Sequence, residues 1–342
     1  MILSRLLPTC LILLPLFCAA QQCPQATPTE GAPPPQPLPV FPSDNWWNLD
    51  VSQAPVDPDS AAYIGYIGSP TLHPEFGGTV HKGSAAVYGY PYAVVAGNQP
   101  KLAVKMQYAD ESDGIDHKTN KPYAFYPIPA EAMTQAHWIE GGWAGDVDKR
   151  RQSDRHMMIV DCTHRMLYEL YNVYYDSTRQ QWLAGSGAAW DMTTNDSRTE
   201  GWTSAEASGL QMFPGMVRYD EAWNDAMPVI QHALRVTLRA TNGHVWPATH
   251  SDGTTSGALP FGARLRLKTS VDGQDPALRT SNPNVRKIFR AMQTYGLIFS
   301  SVGSDMFISG TFDTRWNNGV LNPEFAKLSA EDFEVVKLGW QP

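Results

Sequence analysis

From Asn45 onward the apolar residues come in short runs, and up to about Glu140 these are broken by Gly, Pro, Tyr and Ser. Tyr92–Ala96 and Leu102–Met106 read as strands between turns. The clearest pattern is a hairpin. His156-Met-Met-Ile-Val-Asp161 and Met166-Leu-Tyr-Glu-Leu-Tyr171 flank Cys162-Thr-His-Arg165. Centring the turn on Thr163-His164 sets Val160 opposite Leu167, Met158 opposite Glu169 and His156 opposite Tyr171. Side chains alternate between the faces of a sheet, so His156, Glu169 and Tyr171 share one face; a one-residue slip would separate them. Further strands are expected at His232–Leu238, Leu265–Lys268 and Met306–Ser309. Helical spacing is convincing at 284–295, where Val285, Ile288, Phe289 and Met292 form one stripe and Gly296 takes the C-cap position. A second short helix is expected over Ala205–Gly209. No repeat of fixed period is present. The pattern predicts a mostly antiparallel β protein with a few short helices, as a sandwich, jelly roll or related barrel.

The chain start reads differently. Arg5 supplies a positive charge, Leu6 to Phe17 an apolar stretch, and Ala19-Ala20 a small-residue cleavage site. That is a secretory signal, too short to span a bilayer. The expected organisation is a signal peptide over 1–20, a linker over 21–42 and a single β-rich domain over 43–342. Pro33, Pro34, Pro35, Pro37, Pro39 and Pro42 give the linker an extended, coreless character. The protein is therefore expected outside the cytoplasm, extracellular or periplasmic. Cys23 and Cys162 survive cleavage, and an oxidising compartment permits a bridge between them.

Charge narrows the partners. The formal net charge is −8, and no basic run is present. Nucleic acid and anionic membrane are poor partners for such a surface. No later segment is apolar enough for a membrane span, and a monomer is expected. Eleven Trp and fourteen Tyr exceed what a core alone needs, and exposed rings in an exported acidic protein suit the flat faces of sugars.

From Asn45 onward the chain resembles a family of secreted bacterial proteins to which no activity attaches. The resemblance rests on Ser153-Asp-Arg-His156, Leu167-Tyr-Glu-Leu-Tyr171, Gly185-Ser-Gly187, Gly201-Trp-Thr-Ser-Ala205, Pro214-Gly-Met-Val-Arg-Tyr-Asp-Glu221 and Gly303-Ser-Asp305 with Ile308-Ser-Gly310. It implies one intact domain and no chemistry. The paired-glutamate strand of laminarinase-like hydrolases and the zinc-protease helix motif are both missing. Gly185-Ser-Gly-Ala-Ala has the wrong spacing for a serine elbow.

The candidate chemistry rests on carboxylates. Cleaving a glycosidic bond needs one protonated acid and one carboxylate across it. Glu169 leads, because a carboxylate in an apolar strand has its pKa raised by burial. Glu140 precedes Gly141-Gly142, and Asp154, Asp191, Glu206 and Asp305 complete the acids. The bland reading of Glu169 is a structural partner of Arg155, Arg165 or Arg218. His156 is the candidate histidine, and Tyr171, Trp190, Trp202, Arg218, Trp246 and His250 are candidate substrate contacts. His156, Tyr171 and an Arg would instead suit a polysaccharide lyase. A metal set of His156, His232 and His250 matches no local signature, so no cofactor is expected beyond a structural calcium at Asp110-Glu-Ser-Asp113. The leading expectation is a glycoside hydrolase acting on a polysaccharide or oligosaccharide. The alternatives are a lyase and a non-catalytic carbohydrate or cell-wall binding protein.

Overall fold

The computed structural model describes residues 38–78 and 85–342. The signal peptide, nearly all of the linker and Cys23 lie outside the described residues. Cys162 is disulfide-bonded, and the other three cysteines of the chain are all outside the described residues.

The chain is β-rich and helix-poor, as its pattern predicts, and its sheets are open rather than closed into a barrel. A six-stranded sheet runs His73–Glu75, Phe307–Ser309, Leu234–Leu238, Leu297–Val302, Arg264–Leu267, Phe333–Val335. A four-stranded sheet runs Gly187–Asp191, Met166–Leu170, Met157–Asp161, Tyr92–Val95. Pairing is mainly antiparallel, as expected, but mixed: seven strand pairs are antiparallel and four parallel. Tyr92–Val95 lies parallel to Met157–Asp161, and Leu234–Leu238 parallel to Leu297–Val302. Parallel neighbours need long crossovers, and the segments 96–156 and 239–296 supply them.

The hairpin forms in the expected register, with Met158 opposite Glu169 and Val160 opposite Leu167. Just beyond the strands the rings of His156 and Tyr171 sit 5.4 Å apart. Met157, Ile159, Tyr168 and Leu170 enter one apolar cluster, while Met158, Val160, Leu167 and Ala188 enter another on the opposite face. Burial on both faces explains why these strands read as nearly continuous apolar runs.

The helix Pro283–Thr294 also follows its signals. Asn282 caps it, its side chain accepting from Asn284 N at 3.0 Å and Val285 N at 3.3 Å. The left-handed Gly296 (φ +76°) releases the chain directly into Leu297–Val302. Val285, Ile288, Phe289 and Met292 are fully buried against the six-stranded sheet. The helix expected at Ala205–Gly209 does not form; the segment is a series of turns. Ser204 Oγ bonds the carbonyls of Glu206 (3.0 Å) and Leu210 (2.7 Å), a side-chain alternative to helical pairing that closes the turn.

The two large sheets meet along a seam, where a bridge joins Tyr90, just before Tyr92–Val95, to Thr311, just after Phe307–Ser309.

Candidate functional site

Both sheets deliver charged side chains to this seam. On the six-stranded sheet, Arg235 belongs to the strand Leu234–Leu238 and its Nη1 donates to Ser309 Oγ at 2.5 Å. Ser309 is the register partner of Glu75 on the next strand. The Arg235 guanidinium also grips Glu206 with both Nε and Nη2. From the four-stranded side, His156 precedes the strand Met157–Asp161 and donates its backbone N–H to Glu140 Oε2 at 3.1 Å. Its Nδ1 lies 2.6 Å from the same oxygen, and its Nε2 is 3.1 Å from Ala205 O. Both Glu140 contacts fall on Oε2.

The backbone that carries these residues is pinned. Arg155, left-handed at φ +56° and fully buried, donates to the carbonyls of Trp143, Ala144 and Val173. This ties the Ser153–His156 segment to the loop that holds Glu140. In that loop Gly142 has φ +90°, and a Cβ there would lie 1.7 Å from Ala85 O. Only glycine lets the two segments pass.

Two cavities open on the cluster and share Asp154. The first, of about 500 Å³, includes Glu75, Tyr88, Tyr90, Glu140 and Trp143. The second, of about 440 Å³, includes Tyr108, His156, Tyr171, Glu206 and His250. Asp154 is exposed to solvent between them. Among the described residues, neither Asp154 nor Glu75 has a side-chain hydrogen-bond partner, whereas Glu140, Glu206 and Glu221 are all bonded.

The electrostatics divide the carboxyls. Four acids (Glu75, Glu140, Asp154, Glu206) face two cations (His156, Arg235), so the cluster is acid-rich by two. Burial opposes the charge on His156, but Glu140, Asp154 and Glu206 outweigh it and raise its pKa to about 9. Burial likewise works against ionisation of Glu140, yet the attraction and hydrogen bonds of His156 prevail and its pKa is lowered. Asp154 and Glu75 go the other way. Burial raises both, and although His156 and Arg235 respectively oppose this, repulsion from Glu140 adds to it. The site thus holds a carboxylate kept charged beside two carboxyls biased toward their protonated forms.

Of the sequence candidates, the structure brings together Glu140, Asp154, His156, Tyr171, Glu206 and His250. Trp202 lines an adjoining cavity with Tyr108 and Glu111. The others lie elsewhere. Glu169 is fully buried behind the site and lines neither cavity. Its carboxyl accepts from Met212 N (3.1 and 2.9 Å) and Phe213 N (2.8 Å). Burial raises its pKa to about 7 against those two donors. The dryness inferred from its strand is present; the cleft is not. Asp191 caps an outer turn, accepting from Thr193 N and Oγ1 at 2.8 and 2.6 Å. Trp190 is a core ring at 4% exposure, no sugar platform. Trp246 packs edge-on to Trp46, with 6.4 Å between centroids. Arg218 is buried in an ion pair with Glu221, which also receives His232; this separates His232 from the site. Asp305 pairs with Arg239.

The acidic loop offered for calcium shares two of its carboxylate oxygens with protein donors. Asp113 Oδ2 accepts from Arg198 at 2.6 Å and Ala189 N at 2.9 Å, and Glu111 Oε2 from Thr203 N at 3.2 Å. Among the described residues no group of three or more His, Cys, Asp or Glu side chains is arranged to hold a metal. No helix there is long and apolar enough to cross a membrane.

Sequence reasoning missed Glu75, Tyr90 and Arg235. Arg235 carried a readable signal, an arginine inside the apolar run Leu234–Leu238, which demands a buried counter-charge. Glu75, on a three-residue strand after a proline, carried none. No protein-family model matches the chain, and no match was found among curated proteins or solved structures.

Proposed function

We propose that this chain is an exported glycoside hydrolase that cleaves a polysaccharide in the cleft between its two large sheets. The observation that carries this reading is Asp154: a carboxyl without a hydrogen-bond partner among the described residues, raised in pKa, shared by two cavities and neighboured by a carboxylate held charged. Two carboxyls in unlike environments divide the acid and base roles. Asp154 is the proton donor to the glycosidic oxygen. Glu140, fixed through Oε2 by His156, acts through Oε1 as the charged partner across the bond. Glu75 adds a second raised carboxyl on the opposite wall. The expected chemistry draws on protein side chains and water, with no cofactor.

A lyase fits less well. Proton abstraction needs a neutral imidazole, and Glu140 keeps His156 protonated until about pH 9. The second cavity, where His156 lies, is lined by Glu111, Asp154, Glu206 and Asp252 with no Lys or Arg, which disfavours the uronates that lyases take. A binding module would present rings without converging acids, and three cleft carboxyls argue against it.

The test is reducing-end release over a panel of soluble polysaccharides, read beside absorbance for unsaturated products. On the substrate that responds, Asp154→Asn should lower turnover at least about a hundredfold, the lower range for a general acid, while the fold is retained. Normal turnover by that variant, or unsaturated products from the wild type, would overturn the assignment.

A further inference from the structure

The cleft does not end at the two cavities around Asp154. A third cavity, of about 410 Å³, lies beyond the second and shares Tyr108 and Glu111 with it. The order is therefore continuous: Tyr88 and Trp143 in the first, Asp154 at the junction, Tyr171 in the second, Tyr108 at the next junction, and Trp202 in the third. Each cavity alone is of the size that takes one small ligand, roughly 300–1,000 Å³. Three neighbouring cavities together exceed what a disaccharide fills, and the unpartnered carboxyl lies where two of them meet.

Aromatic rings recur along the line on both sides of Asp154. Tyr88 and Tyr108 are exposed at 43% and 46%. Trp143 and Trp202 are half-buried and held in place. Lys149 Nζ stands 5.1 Å over the Trp143 ring. Arg198 stands 5.3 Å over Trp202 and is itself fixed by Asp113, Glu111 O and Thr203 O. Pre-positioned rings contact a sugar face with little loss of conformational freedom.

Charge says which polymer. The second and third cavities are lined by Asp110, Glu111, Asp154, Glu206 and Asp252 with no Lys or Arg, whereas the first sets Arg150 and Arg151 beside its acids, so the repulsion acts in the second and third. A chain of uronate or sulfated units would bring like charges together there.

We infer that these cavities form one groove for a linear polysaccharide of uncharged or amine-bearing sugars, bound on both sides of Asp154, so that bonds are cut inside the chain rather than at its ends. This rests on the hydrolase reading and adds to it the substrate class and the mode of attack.

The experiment uses cello-, xylo-, manno- and chitosan-oligosaccharides from dimer to octamer, with the parent polymers and oligogalacturonates for comparison. Binding is measured with the Asp154→Asn protein, and cleavage with the wild type. Affinity and kcat/KM should climb from dimer to hexamer in at least one neutral or amine-bearing series, and the first products from its polymer should be of mixed length. Oligogalacturonates should not bind. Trp202→Ala should lower kcat/KM for the octamer about tenfold more than for the dimer, the size of one ring contact; Trp202→Phe should recover most of that difference and guards against a folding artefact.

Cleavage that depends on Asp154 but releases only mono- or disaccharides from the start, with no dependence on length, overturns the groove and spares the hydrolase reading. Length-dependent binding that Trp202→Ala weakens, without cleavage of any member, overturns the hydrolase reading and spares the groove. Tighter binding of oligogalacturonates than of neutral chains overturns the charge argument, and no binding at all overturns the whole inference.

Discussion

Replacing Glu169 with Gln separates the chemistry of this protein from its stability. The carboxyl is fully buried and receives Met212 N–H and Phe213 N–H at 2.8 to 3.1 Å. Those donors favour the ionised form but do not match the loss of water, and the pKa rises from 4.5 to about 7. Because the folded value lies above the unfolded one, the fold prefers the neutral acid. The stability linked to that preference is complete below about pH 4.5 and is lost as the pH rises through about 7. A difference of about 2.5 pH units corresponds to roughly 3 kcal/mol between the two limits. Glutamine has no proton to lose, but its amide nitrogen would face Met212 N–H where Oε2 now accepts. That mismatch costs about 1–3 kcal/mol at low pH. Urea denaturation of both proteins between pH 4 and 9 gives the measurement, with the other titrating groups cancelling in the difference. The wild type should start as the more stable protein and lose roughly 3 kcal/mol of its advantage by pH 8, equalling or falling below the variant. Turnover should follow the folded fraction. A difference that is flat with pH refutes the burial argument. A loss of about a hundredfold in a fully folded variant returns Glu169 to the catalytic machinery.

Glu140→Gln removes the main charge facing His156, and the imidazole pKa, followed by NMR titration, should fall by at least about 1 pH unit from its value near 9; an unchanged value would mean that Asp154 and Glu206 suffice to hold the proton. Gly142→Ala places a methyl against Ala85 O at φ +90°, and thermal unfolding should show a loss of at least about 2 kcal/mol; a variant as stable as the parent would show that the loop yields freely.

Local order was legible in the sequence and convergence was not. The hairpin register followed from centring the turn on Thr163-His164, and alternation then placed His156, Glu169 and Tyr171 on one face. The helix Pro283–Thr294 followed from its cap, its stripe and Gly296. Leu297–Val302 escaped notice since it starts at once after that glycine, with no turn signal between. Mixed pairing was hidden because strand direction depends on crossovers, which leave no mark on strand composition. Glu169 shows a sound inference carried one step too far. Its strand predicted dryness, but the donors that stabilise it, Met212 N–H and Phe213 N–H, are backbone groups, and backbone groups have no sequence signature. The site draws on Glu75, Asp154, Glu206 and Arg235, whose meeting is decided by sheet docking rather than by any local spacing.

The seam that joins the sheets at Tyr90–Thr311 makes the charged cluster a product of docking, complete only when both sheets are in place. The six-stranded sheet contributes Glu75 and Arg235; the four-stranded one brings His156 and Tyr171. A newly made chain with only one sheet in place lacks the other sheet's share of the cluster and the cleft between them. On the hydrolase reading proposed above, such a chain would be inactive until both sheets had docked.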